Sequence, residues 1–162
     1  MIDNTPYKVL FVCLGNICRS PAAENIFRHL VTQAGLEKSI LIDSAGTLDF
    51  HTGKGPDRRM CQTLRDRNIP SAGKARQFTA HDFYEFDLIL TMDHDNFRNV
   101  TSLDPDGMFR DKVKPFSTYC QELDHQIDEV PDPYSGGMAG FEFVADMLED
   151  GCQELLRQVR SK

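Results

Sequence analysis

The sequence predicts an α/β fold: a four-stranded, mainly parallel twisted sheet with helices on both faces. Three observations carry this expectation. Short β-rich apolar runs alternate with stretches of helical periodicity, the order that a parallel sheet with right-handed crossovers requires. The first of these runs is continuous rather than alternating, as in a strand covered on both faces. The 162 residues, 40% hydrophobic and 27% charged, suffice for one globular domain over 1–162, and no repeat, linker or low-complexity tract divides them.

Residues 8–12 (KVLFV) form the first expected strand, and a glycine-containing loop follows. Ser20 is placed to cap a helix with Pro21 at its first position, where a missing N–H costs nothing. Ile26, Phe27, Leu30, Val31 and Ala34 keep helical spacing, and Gly35 ends the run. Residues 39–42 form a second strand. Pro56 opens a second helix, with Met60 and Leu64 inward, that stops near residues 68–70. A short helix over 80–84 precedes a third strand over 87–91, a helix over 93–100 and a weaker strand over 112–116. Residues 129–140 form a loop rich in Pro and Gly. Phe141, Val144, Ala145, Leu148, Cys152, Leu155, Leu156 and Val159 make the apolar stripe of a long last helix.

Composition excludes several classes of function. The net charge of −7 argues against nucleic-acid binding. No apolar run is long enough for a membrane span, and the polar opening MIDNTPYK lacks a secretory core, so a cytoplasmic protein is expected. Five cysteines with no Cys-x-x-Cys pair read as free thiols in a reducing compartment. The five histidines are scattered, so neither a metal nor another cofactor is expected. Charge is uneven: residues 1–80 hold 11 Lys and Arg against 7 Asp and Glu, a net +4, and residues 81–162 hold 7 against 18, a net −11. A basic first half favours an anionic ligand there.

The chemistry concentrates in VLFVCLGNICRSPAAENIF, residues 9–27. A Cys-x5-Arg spacing is weak alone, arising by chance in about one such sequence in three. This chain contains two copies. Cys61 to Arg67 lacks glycine and lies in a helical pattern, so its thiol and guanidinium cannot converge. Cys13 to Arg19 runs from a strand end through a Gly loop into a capped helix, the geometry in which backbone N–H groups bind phosphate or sulfate. Gly15 permits backbone conformations closed to other residues. Arg19 can hold two anion oxygens. The same environment favours a thiolate; a free Cys has a pKa of about 8.5, and such sites lower it to about 3.5–7.5. In an open parallel sheet the ligand lies beyond the carboxyl ends of the strands, where Cys13 falls.

Cys13-Leu14-Gly15-Asn16-Ile17-Cys18-Arg19-Ser20-Pro21 strongly resembles the signature loop of the low-molecular-weight protein tyrosine phosphatases. The resemblance extends through Asp43-Ser44-Ala45-Gly46, Ala75-Arg76-Gln77, Met92-Asp93 and Asp132-Pro133-Tyr134, nearly the whole chain. It implies phosphotyrosine proteins or small aryl phosphates as substrates. Cys13 is then the nucleophile that forms a cysteinyl-phosphate, with Arg19 and the amides from Leu14 to Ser20 holding the phosphate. Asn16 and Ser44 brace the loop, and the Ser20 hydroxyl assists the thiolate as leaving group. Among 17 aspartates, Asp132 between two prolines and Asp104 beside Pro105 are comparable local patterns; the resemblance selects Asp132 as general acid and base. Tyr134 matches a family aromatic that lines the slot for the substrate ring. Phe50 falls where the family carries a rim Trp or Tyr, with His51 beside it, and His51 and Asp93 are expected to support the site. Ser135 replaces a frequent second Tyr, and Gly73 stands where many animal members have His.

Cys18, in the same loop, is a candidate resolving thiol that would form a reversible disulfide with oxidised Cys13. Cys61, Cys120 and Cys152 fall on helical patterns and read as core. Two rival readings remain: an arsenate reductase, whose cysteine relay finds no partner because residues 62–119 lack cysteine, and a non-catalytic phosphate-binding or phospho-carrier module. A monomer is expected.

Overall fold

The computed structural model describes residues 4–162. Four strands, β1 (Tyr7–Cys13), β2 (Ile40–Gly46), β3 (Leu88–Thr91) and β4 (Val113–Pro115), form a sheet in the order β2-β1-β3-β4, and every pairing in it is parallel. Helices α1 (Arg19–Gln33), α2 (Arg58–Arg65), α3 (Asp82–Glu85), α4 (His94–Thr101) and α5 (Met138–Val159) are distributed between the strands and after them.

Side chains alternate across a strand, and β1 uses the alternation to build two cores. Val9 and Phe11 enter a cluster with Ala22, Ile26 and Phe27 of α1 and Val144, Leu148 and Leu155 of α5. Leu10 and Val12 face the other way, into a cluster with Phe78, Phe83, Phe86, Val100 and Val113. All four β1 residues are fully buried, which explains the unbroken apolar run. Phe11 meets Phe27 and Phe116 edge-on, with ring centroids 5.9 and 6.1 Å apart.

The chain leaves β1 for β2 on one side and returns past it to β3 on the other. The two connections therefore diverge at the carboxyl end of β1 and open a crevice there, at the switch point of the sheet. Cys13 is the last residue of that strand, paired with Gly46 of β2.

Several element boundaries differ from the sequence reading, for local reasons. α1 begins at Arg19, so Ser20 falls inside its first turn instead of capping it; Cys18 holds the cap position without a side-chain capping bond, and the Ser20 hydroxyl lies against Cys13 and Asn16. α2 begins at Arg58 rather than at Pro56; the Asp57 carboxylate accepts the Arg59 N–H and caps it. Asp93 caps α4 in a reciprocal box with Asn96. β2 continues to Gly46, because the neighbouring strand extends equally far. Among the described residues no helix is long and apolar enough to cross a membrane.

Phe11→Ala should cost about 3–5 kcal/mol, the usual range for emptying a buried aromatic site. Urea unfolding of the folded variant measures this, and a loss below about 1 kcal/mol would show that the two-sided packing of β1 is not what holds the sheet.

Candidate active site

The segment from Cys13 to Arg19 connects the end of β1 to the start of α1 and is fixed from three sides. Thr47 and Leu48 donate their N–H groups to the carbonyls of Cys13 and Leu14 at 2.9 and 3.0 Å, and Asp57 donates to Ile17 at 2.7 Å. Gly46 lies so close beneath the loop that an added Cβ would meet the Leu14 carbonyl oxygen at 2.8 Å and the Asn16 nitrogen at 3.0 Å. The left-handed conformation in this loop belongs to Asn16 (φ 57°), not to Gly15 as the sequence suggested. Asn is among the few side chains that tolerate it. Gly15 is required for space instead: a Cβ there would lie 2.9 Å from Cδ2 of His51, whose imidazole packs on the loop.

A buried polar chain runs behind the sulfur. Cys13 Sγ and Ser20 Oγ are 3.0 Å apart. Asn16 Nδ2 donates to Ser20 Oγ at 2.8 Å and to Ser44 Oγ at 2.9 Å, while Asn16 Oδ1 accepts the Arg76 N–H at 3.0 Å. Asn16, Ser20 and Ser44 are each less than 5% exposed. A buried polar group left without a partner costs about 1–3 kcal/mol, so these mutual bonds hold the loop in one shape.

Arg19 is 2% exposed. Its Nη1 donates to Asp93 Oδ2 at 2.6 Å and to the Val130 carbonyl at 3.0 Å, and Nη2 lies 3.7 Å from Asp132 Oδ2. Asp93 thus does two jobs: one oxygen caps α4 and the other holds the guanidinium. Burial works against the charge on Arg19, but Cys13, Asp93 and Asp132 more than offset it and its pKa is raised. Asp132 lies on the surface loop between Pro131 and Pro133, and its Oδ1 accepts the Tyr134 N–H at 3.0 Å.

These groups share one pocket of about 330 Å³ lined by Cys13, Leu14, Gly15, Ile17, Cys18, Arg19, Leu48, Phe50, His51, Asp132 and Tyr134. Phe50 is 81% exposed and Tyr134 50% exposed, so both stand at the mouth rather than in the core. Arg59 lies over the Tyr134 ring at 5.3 Å and over Phe141 at 4.5 Å, which steadies that side of the opening. Asn16, Ser20 and Ser44 lie behind the pocket wall, and Asp93 reaches the pocket through Arg19.

The profile of the low molecular weight phosphotyrosine protein phosphatases matches residues 8–162. The chain belongs to that family. A Synechocystis relative bearing the family's name is 56% identical over 149 residues, 92% of this chain and 94% of its own. The Schizosaccharomyces pombe low molecular weight phosphotyrosine protein phosphatase is 43% identical over 153 residues, 94% of this chain and 96% of its own. The crystal structure of an Entamoeba histolytica protein tyrosine phosphatase with Hepes in its active site superposes with a TM-score of 0.91 at 37% identity, covering 96% of this chain and 97% of that one.

The thiols of this low-molecular-weight phosphatase differ in their surroundings. All five cysteines are free. Burial, then the charges of Asp57, Cys13 and Asp132, push the Cys18 thiol far above its ordinary range. Cys120 is buried just after a 3₁₀ turn, Phe116–Tyr119, rather than within a helix, and burial pushes it up to about 12. Cys152 is buried in α5, but Cys61 is only half-buried, with its Sγ near the Pro56 carbonyl, and is not core. The second Cys-x5-Arg copy does not converge: Arg67 binds Glu142, Asp146 and Glu149 of α5. No group of His, Cys, Asp and Glu suited to a metal occurs among the described residues. Sequence reasoning missed Leu48 and Arg59 at the mouth and Glu24 behind the loop. Nothing in their spacing sets them apart from ordinary helix and turn residues.

Gly46→Ala in this phosphatase should push the signature loop off its present course and weaken vanadate inhibition at least about tenfold, because backbone atoms have no free rotamer to yield. Inhibition constants measure this; an unchanged constant would show that the loop does not depend on the close approach at Gly46.

Proposed function

We propose that this phosphatase hydrolyses phosphotyrosine and small aryl phosphates in two steps at Cys13. The observation that carries the reading is the position of Arg19. Its buried guanidinium shares the pocket with Cys13 and reaches Asp93 on one side and Asp132 on the other. A phosphate beside Sγ would have Arg19 and the loop amides as donors for its equatorial oxygens, where charge must be stabilised in the transition state.

In the first step Sγ of Cys13 forms a bond to phosphorus. The bond from phosphorus to the phenolic oxygen breaks with its electron pair on that oxygen, and Asp132 supplies the proton. In the second step a water attacks phosphorus and yields its proton to Asp132. The P–S bond breaks, its electron pair returns to sulfur, and the Ser20 hydroxyl 3.0 Å away stabilises the thiolate. Tyr134 and Phe50 receive the aryl ring at the mouth. No cofactor enters this scheme. The free thiols support a reducing, cytoplasmic setting. Asp132 inside the pocket also supports hydrolysis over a carrier role, which would not need a proton donor there.

Cys13→Ser should abolish turnover of p-nitrophenyl phosphate while phosphate binding persists; no turnover by the pure, reduced parent chain would favour the carrier instead. Asp132→Ala should slow hydrolysis by about 10²–10⁴-fold, the usual worth of a positioned acid, with the larger loss for phenyl phosphate than for p-nitrophenyl phosphate. Equal losses across leaving groups would remove Asp132 as the acid. If Cys18 resolves oxidised Cys13, Cys18→Ser should fail to recover with dithiothreitol after peroxide; unchanged recovery would remove that role.

A further inference from the structure

Tyr134 stands at the pocket mouth on a stretch of chain, residues 131–137, that belongs to no helix or strand. The stretch has short-range ties of its own: the Tyr134 N–H donates to Asp132 Oδ1 at 3.0 Å, and the Gly136 N–H to the Pro133 carbonyl at 3.0 Å. Neither fixes the ring, which is half-exposed and, among the described residues, enters no aromatic pair. What lies against it is the Arg59 guanidinium, with Cζ 5.3 Å from the ring centroid.

Arg59 is itself held firmly. Nε donates to Asp57 Oδ1 at 3.2 Å and Nη2 to Asp57 Oδ2 at 3.1 Å, a two-pronged pairing that needs a planar fork. Cζ also lies 4.5 Å from the centroid of Phe141, a ring fully buried in the larger core. Nη1 reaches the Gly136 carbonyl at 3.5 Å. Asp57 is anchored in turn: its carboxylate caps α2, and its N–H donates to the Ile17 carbonyl of the signature loop at 2.7 Å. The guanidinium is thus tied to the signature loop through Asp57 and to the core through Phe141, and it offers Tyr134 a fixed cation. With its charge matched by Asp57, Arg59 is not among the residues that line the pocket, so the phosphate oxygens are left to Arg19 and the loop amides.

We propose that Arg59 is a positioning residue that determines specificity: it holds the Tyr134 ring where the aryl group of the substrate is received, and it acts only through that ring. The proposal rests on the reading that the pocket takes an aryl phosphate. The aryl group departs when its bond to phosphorus breaks, so the effect falls on binding and the first step, not on hydrolysis of the cysteinyl-phosphate.

Arg59→Met should lower kcat/KM for p-nitrophenyl phosphate about three- to tenfold, the scale of one cation–π contact and the ordering of one side chain. The inhibition constant of inorganic phosphate, which has no ring, should change by less than about twofold, whereas general damage to the site would weaken both together. Arg59→Lys keeps the charge without the planar fork and should not restore the parental kcat/KM. With Tyr134→Ala already present, adding Arg59→Met should cost nothing further. A parental kcat/KM in Arg59→Met, restoration by Lys, an equal loss of phosphate affinity, or the same loss without the Tyr134 ring overturns the proposal. Should Arg59→Met fail to fold, Arg59→Gln keeps a donor for Asp57 without the cation, and the same measurements decide. The phosphatase reading fails separately, if the parent chain does not turn over p-nitrophenyl phosphate.

Discussion

Arg19 carries a full positive charge in an environment almost closed to water, and the architecture around it follows from that burial. An isolated ion there would be strongly unfavourable, and removing one partner from a buried pair typically costs about 3–5 kcal/mol. Compensation comes from the end of β3 through Asp93, from the Val130 carbonyl, and from Asp132 on the loop before α5. One guanidinium therefore ties the start of α1 to the β3–α4 junction and to the loop before α5. The parallel sheet makes this possible, because β1 and β3 are adjacent and end at the same level.

The loop shows the complementary constraint. Its polar side chains turn inward to one another, and the residue left at the cap position of α1 is Cys18, which makes no side-chain capping bond. Local helix stability, for which a Ser cap is worth about 0.5–2 kcal/mol, has been given up for a fixed environment at sulfur. Such departures from local preference are expected where a protein does chemistry.

Much of this was legible in the sequence. The continuous apolar run of β1, the Pro-Gly loop and the stripe of α5 each reflect a strong periodic or conformational demand, so the four-stranded α/β sheet could be read directly. Cys13, Arg19 and Asp132 lie in the same pocket, as do Phe50, His51 and Tyr134. Boundaries were less legible: Pro56 looked like a helix start, but the carboxylate of Asp57 supplied a stronger cap one residue later. Glycine was misread in kind, since Asn16 carries the positive φ and Gly15 yields space to His51. Glu24 and Arg28 were invisible because an i, i+4 acid–base pair on a helix ordinarily marks a solvated face. Only the approach of β2, which brings Ser44 to Glu24, shows that the acid of the pair is turned inward.

The claim on which the rest depends is that the loop and Arg19 bind an oxyanion directly against Cys13 Sγ. A crystal structure of the reduced protein with vanadate tests it most directly. The account predicts vanadium bonded to Sγ, with two equatorial oxygens on the Arg19 guanidinium and an apical oxygen facing Asp132. Vanadate bound elsewhere, or bound in the pocket without contact to Sγ and Arg19, would contradict it.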